Sequence, residues 1–152
     1  MTAPVIRRAT PADGPIVRRF VFQALLDFGL EVEPDGHDLD VMSFGEPKEG
    51  VLEFVAELDG CPVGSVIVTP RDDGSANLSK FYVDAECRGH GIGRPLLDYA
   101  VQAARAAGLR RLELDTRPMF HAAIHLYESM GWTSMPPPAT AGRCELYYTL
   151  EL

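Results

Sequence analysis

The chain has 152 residues, 46% of them apolar and 24% charged, the size and balance of one globular domain spanning 1–152. Its formal net charge of −8 argues against a nucleic-acid partner, which needs clustered Lys and Arg, and is compatible with a cationic one. No run of about 18 apolar residues offers a membrane span, so no membrane association is expected.

In chain order, PVIRRAT (4–10) reads as a short strand. Thr10 then caps a helix with Pro11 at its first position and Asp13 in its first turn. That helix turns Ile16, Phe20, Leu25 and Phe28 toward a core and ends at Gly29. An acidic stretch, LEVEPDGHDLDVM (30–42), is broken at Pro34 and Gly36 and reads as a loop into a short second helix.

VLEFVAELDGCPVGSVIVTP predicts a hairpin turning at Asp59-Gly60. A turn at DDG (72–74) leads into a further strand, SANLSKFYV (75–83). The stretch CRGHGIGRP (87–95) opens an alanine-rich helix that stops at Gly108. RRLELDT (110–116) is a strand, HAAIHLYESMG (121–131) a helix ending at Gly131, and RCELYYTLEL a closing strand reached from Trp132 through PPPATAG. The order is β, α, α, three strands, then α, β, α, β, β. The predicted fold class is α/β in the α+β sense. A mixed, mostly antiparallel sheet carries one parallel β-α-β unit with a right-handed crossover, and helices lie on both faces.

The cysteines, Cys61, Cys87 and Cys144, are odd in number and form no CxxC pair, so neither a disulfide framework nor a zinc site is supported. MTAPVIRRATPADG lacks the apolar centre of a secretory signal, and a cytoplasmic setting is expected. His121 and His125 have the i, i+4 spacing of zinc-binding helices. Ala122 stands where the metalloprotease pattern needs Glu, and no third ligand is in view, so no metal is expected.

Gly89, Gly91 and Gly93 alternate with other residues between Arg88 and Arg94, directly after a strand and at the start of a helix. Such a stretch bares backbone N–H groups, and the helix dipole favours an anion there. A P-loop would need Lys-Ser or Lys-Thr after the glycines, and a dinucleotide fingerprint would need a small residue where Arg94 stands.

The remaining pattern, Arg88-x-x-Gly91-x-Gly93, resembles the pyrophosphate-binding signature of the GNAT superfamily of N-acetyltransferases. AAIHLYESMGW resembles that family's second motif, and GLEVEPDGHDLD is similar to the substrate loop of its small bacterial members. The resemblance spans nearly the whole chain.

It implies the GNAT acyl-CoA N-acyltransferase fold, acetyl-CoA as co-substrate, and direct transfer of acetyl to an amine. Strand 75–83 would splay from strand 110–116 and receive the pantetheine arm, with Phe81, Tyr82 and Val83 beside it. Arg88, Gly89, His90, Gly91, Ile92, Gly93 and Arg94 would surround the pyrophosphate. An N–H aimed at the thioester oxygen would stabilise its developing charge. Tyr127 falls where the family places the acid that meets the departing thiolate.

Two positions depart from the pattern. Asn77 stands where relatives often carry a basic Glu, which leaves Glu53, Glu113, Asp115 or a chain of water. Phe120 replaces an Asn that contacts the pantetheine arm in many relatives.

Glu31, Glu33 and Asp35, with Asp38 and Asp40, are expected to select a cationic amine, a polyamine or a lysine-bearing peptide, unless they form a merely solvated acidic loop. The resemblance also makes a homodimer an expectation. A CoA-binding protein that has lost acetyl transfer is the alternative function.

Overall fold

Alternating apolar residues between positions 52 and 83 make three consecutive antiparallel strands, β2 (Leu52–Leu58), β3 (Cys61–Pro70) and β4 (Ser75–Val83). They form the centre of a computed structural model that describes residues 3–138 and 145–152. The turn between β2 and β3 holds Asp59 at φ 52° and Gly60 at φ 81°, the paired left-handed conformation of a tight hairpin turn. β3 is buried from Pro62 to Val68, as a strand covered on both faces must be.

Around this centre the seven-stranded sheet runs β1-β2-β3-β4-β5-β7-β6. β1 is Val5–Arg8, β5 Arg111–Thr116, β6 Thr133–Met135 and β7 Leu146–Glu151. Every neighbouring pair is antiparallel except β4 with β5. The mixed sheet with one parallel β-α-β unit is therefore the observed architecture. Cys144 and most of the PPPATAG loop lie outside the described residues.

The sheet is covered on both faces. α3 (Gly93–Ala106) buries Leu96, Leu97, Ala100, Val101 and Ala104, an i, i+1, i+4, i+5, i+8 stripe along one side of a helix. That stripe packs with Phe54, Val66, Leu78, Leu112 and Leu114 into the larger core, which Tyr127 and Trp132 join from α4 (His121–Ser129) and the turn after it.

On the other face, α1 (Gly14–Asp27) and α2 (Leu39–Met42) bury Val17, Phe20, Val21, Leu25 and Val41 against Val55 and Ile67. The first helical turn, Pro11–Asp13, is a 3-10 helix leading into α1. Ile16 and Phe28, expected in the core, are only half-buried. Val17, Phe20, Val21, Ala24 and Leu25 make the buried stripe of α1, whereas Phe28 lies just past its last turn and packs against Phe120.

Candidate functional site

β4 and β5 pair only through Ser75–Arg111, Ala76–Leu112 and Asn77–Glu113. Beyond these residues β4 continues to Val83 and β5 to Thr116 with no pairing between them, so the strands open into the expected V. A cleft of about 1070 Å³ fills the opening. Its walls are Asn77–Val83 from β4, Leu114–Thr116 from β5, the glycine segment, α4, and parts of the stretch from the end of α1 to α2, residues 28–31, Glu33, His37, Asp38 and Asp40.

The opening is shaped by a bulge in β4. Ser65 stands opposite Tyr82 and Ile67 opposite Ser79, so Lys80 and Phe81 together face the single residue Val66. Lys80 has φ 50°, a left-handed conformation that costs a non-glycine residue about 1–2 kcal/mol. The extra residue resets the alternation of the strand. Leu78, Phe81 and Val83 all pack toward α3, while Tyr82 packs toward α1. A strict period of two would have turned Phe81 away from that core.

Lys80 is anchored on both sides of its backbone. Its carbonyl accepts a hydrogen bond from Ser65 Oγ at 2.8 Å. Its ammonium lies 3.3 Å from Asp38 and 3.0 Å from Asp40, and donates to the His37 carbonyl at 3.0 Å. Ser79 Oγ donates to the other Asp40 oxygen at 2.7 Å. Asp38 also accepts the Glu33 N–H at 2.8 Å, closing the acidic segment on itself. Burial, then the charges of Asp38 and Asp40, push the nearby Tyr82 hydroxyl up to about 12.

At the other end of the cleft, Gly89 and Gly91 have φ 81° and 73°. A Cβ at either would meet nothing within 4 Å, so the requirement for glycine is conformational and the backbone is open toward a ligand. Gly93 differs. A Cβ there would come within 3.4 Å of Leu126 and Phe81, and its absence lets α3 begin against β4 and α4.

Arg88, Gly89, Gly91, Ile92, Gly93 and Arg94 line the cleft, whereas the exposed His90 is not among the lining residues. Arg94 donates to Ser129 Oγ at 2.8 Å. Arg88 Nε donates to the Val83 carbonyl at 3.2 Å, and its guanidinium sits 5.9 Å from the centre of the Phe28 ring.

Tyr127 enters from α4 and is 5% exposed. Its ring packs 6.0 Å from Phe81, 5.6 Å from Trp132 and 6.1 Å from Tyr148, centre to centre. No hydrogen bond is made by its hydroxyl among the described residues. Burial pushes that hydroxyl well above the ordinary tyrosine range, so it keeps its proton at neutral pH. Phe120, just before α4, stacks edge-on against Phe28 at 4.7 Å and Tyr82 at 6.1 Å, bridging α1 and β4 across the cleft.

The carboxylates separate by environment. Glu53 is buried in a different, smaller cavity of about 260 Å³, bound to Lys48 at 3.0 Å and to the Gly45 N–H at 3.1 Å. Glu113 is held by Arg71 at 3.0 Å and Arg111 at 2.8 Å. Of the three carboxylates considered for the base, only Asp115 lines the cleft.

Glu31 and Glu33 line the cleft; Asp35 is exposed and does not. His121 and His125 both line it, and no group of three or more potential metal ligands occurs among the described residues. The sequence singled out neither Lys80 nor the Phe28–Phe120–Tyr82 contact. The signal for the first was a lone lysine in an apolar strand with Leu78 and Phe81 three residues apart.

A family model described as the acetyltransferase (GNAT) family matches residues 19–132. The N-acetyltransferase YjgM of Escherichia coli is 29% identical over 86% of this chain and 82% of its own. An aminoglycoside N(6')-acetyltransferase of Stenotrophomonas maltophilia is 35% identical over 76% and 77%. In fold, a solved acetyltransferase from Streptococcus agalactiae superposes over all of both chains with a TM-score of 0.84 at 20% identity. The splayed strands, the glycine turn and the two matched motifs agree with these likenesses: the chain belongs to the GNAT family and is an acetyltransferase.

Proposed function

We propose that this acetyltransferase takes acetyl-CoA as donor and passes the acetyl group directly to a positively charged primary amine. The observation that carries the reading is the meeting of three features in one cleft: the V between β4 and β5, the left-handed glycines at the start of α3, and the buried Tyr127.

Acetyl-CoA supplies an activated thioester. Gly89, Gly91 and Gly93 offer backbone amides at a helix N-terminus for its pyrophosphate, and Arg88 and Arg94 add charge. Phe81 and Val83 line the cleft where β4 is unpaired with β5, a position that suits the pantetheine arm and the thioester oxygen, where an N–H stabilises developing negative charge. A neutral amine nitrogen forms the new C–N bond as the C–S bond breaks; the sulfur leaves with the electron pair, and the proton that the nitrogen then sheds balances the one the thiolate takes up.

Tyr127 is suited to meet that sulfur. Because burial raises its affinity for the proton, the hydroxyl acts first as a hydrogen-bond donor to the thiolate; full transfer needs the thiolate's own proton affinity raised in the same dry site. On the acceptor side, Glu31 and Glu33 supply negative charge beside the aromatic wall of Phe28, Tyr82 and Phe120. That the aminoglycoside N(6')-acetyltransferase acts on a polycationic amine supports the same class of acceptor.

The test is thermal unfolding with acetyl-CoA, CoA, ATP and NAD in parallel, followed by thiol release with spermidine, lysine peptides and an aminoglycoside. A ligand at a hundredfold its dissociation constant adds about 2.7 kcal/mol, a shift of several degrees. Stabilisation by acetyl-CoA and CoA, and release that depends on a cationic amine, are expected. A shift with NAD or ATP and none with CoA would overturn the donor assignment. Stabilisation by acetyl-CoA with no thiol release on adding any of these cationic amines would overturn the acceptor class.

A further inference from the structure

The acidic segment that walls the acceptor side contains five carboxylates, but the fold does not leave all of them to a substrate. Asp38 and Asp40 are both engaged by the Lys80 ammonium, which lies 3.3 Å and 3.0 Å from them and donates a hydrogen bond to the His37 carbonyl. The Lys80 side chain is 10% exposed and that of Asp38 7%, so this contact is shielded from water and stronger than a surface pair, whereas Asp40, 31% exposed, is partly solvated. Lys80 is also the left-handed residue of the β4 bulge, fixed at its carbonyl by Ser65. One residue thus sets the backbone bend beside Phe81 and holds the segment that faces it.

We infer that Lys80 is a positioning and specificity-determining residue. It pins the 30–40 segment to the β4 bulge and engages two of its carboxylates, offsetting one of their two charges, so that Glu31 and Glu33 are left to recognise the acceptor. This rests on the acyl-transfer reading of the cleft.

The segment is built to be carried by such a pin. Glu33 and Asp38 close it into a turn: the Asp38 carboxylate accepts the Glu33 N–H at 2.8 Å, and the Asp38 N–H donates to the Glu33 carbonyl at 2.9 Å. Leu30 and Val32 pack on the smaller core at one end, and Val41 is buried in it at the other. Between these apolar footings, the Lys80 ammonium and the Ser79–Asp40 hydrogen bond tie the segment to β4. Removing the ammonium leaves two neighbouring carboxylates that repel, which opens the turn and moves Glu31 and Glu33 from their places on the cleft wall.

The experiment separates the pin from the bulge. Lys80→Gly removes the whole side chain and relieves the positive-φ strain; Lys80→Met removes the ammonium while keeping an apolar stem and the strain; Lys80→Arg keeps a cation. Amide hydrogen exchange over 31–40, acetyl-CoA affinity, and steady-state kinetics with the amine accepted by the wild type are measured on each.

In Lys80→Gly and Lys80→Met, exchange at Glu33 and Asp38 should rise at least tenfold. KM for the amine should rise at least tenfold, while kcat changes less than threefold and acetyl-CoA affinity less than twofold. Lys80→Arg should recover part of the amine KM. Unchanged exchange in Lys80→Gly, or a loss of acetyl-CoA affinity parallel to that of the amine, would overturn the inference. A wild type that does not bind acetyl-CoA would sink the donor assignment, and the exchange data would still decide whether Lys80 pins the segment.

Discussion

Replacing Tyr127 by Phe removes one oxygen from a ring whose packing is otherwise complete. The contacts with Phe81, Trp132 and Tyr148 are ring contacts that phenylalanine retains, and the hydroxyl makes no hydrogen bond among the described residues. The structural cost is therefore close to zero. A purely structural Tyr127 would leave activity unchanged in Tyr127→Phe, with stability equal or slightly higher.

If the hydroxyl donates to the leaving sulfur, the variant forfeits a hydrogen bond to a charged group, worth about 1.5–3 kcal/mol. That corresponds to a fall in kcat of about 10- to 150-fold. The assay is release of CoA thiol at saturating acetyl-CoA and amine, with the melting temperature measured on the same preparation. Because burial raises the Tyr127 hydroxyl, the protonated donor persists upward in pH. The wild-type kcat profile should show no falling limb from this group below about pH 10, the ordinary tyrosine value. A kcat within twofold of wild type, at an unchanged melting temperature, would refute the donor role.

Two further perturbations test the frame that carries the cleft. Asp13 accepts the Thr10 N–H at 2.7 Å and both Arg7 terminal nitrogens at 2.8 Å, and Arg7 first, through those hydrogen bonds, holds its carboxyl below the usual range. Its ionised form therefore adds stability above the unfolded value of about 3.9, and that stability is lost as pH falls through the lower folded value. Arg7 is a third exposed, which screens part of the pair. Asp13→Asn should thus cost about 1–2 kcal/mol at pH 7 by urea unfolding, with the gap closing below about pH 4; a gap that does not depend on pH would contradict the assignment. Gly45 has φ 88°, and a Cβ there would collide with the Thr10 carbonyl. Gly45→Ala should cost about 3 kcal/mol or more and lower the melting temperature by about 6–12 °C, and a change under two degrees would show that the Thr10 turn yields.

Much of this architecture was legible in local sequence because local rules govern it. The Asp59-Gly60 turn, the stripe from Leu96 to Ala104 and the stops at Gly29, Gly108 and Gly131 each follow from backbone freedom or periodicity within a few residues. The glycine segment and Tyr127 were legible for another reason: their motifs carry a spacing that resembles a family, and the fold brings both to one cleft.

What the sequence could not decide was how charges pair across the fold. Five acidic residues between 31 and 40 look alike in one dimension. Only the packing of α2 against β4 brings Lys80 to Asp38 and Asp40, some forty residues away in the chain, and leaves Glu31 and Glu33 on the cleft wall. The same holds for Glu53, which by type and strand position was a possible base and which the fold buries against Lys48 in a separate cavity. Phe120 reads as a lost polar contact until α1 and β4 place Phe28 and Tyr82 against it. Periodicity and turn chemistry act along the chain, so the sequence by itself determined the elements and their order. Electrostatic pairing and side-chain packing act through space, so the tertiary structure alone decided which of its charged and aromatic residues face the cleft.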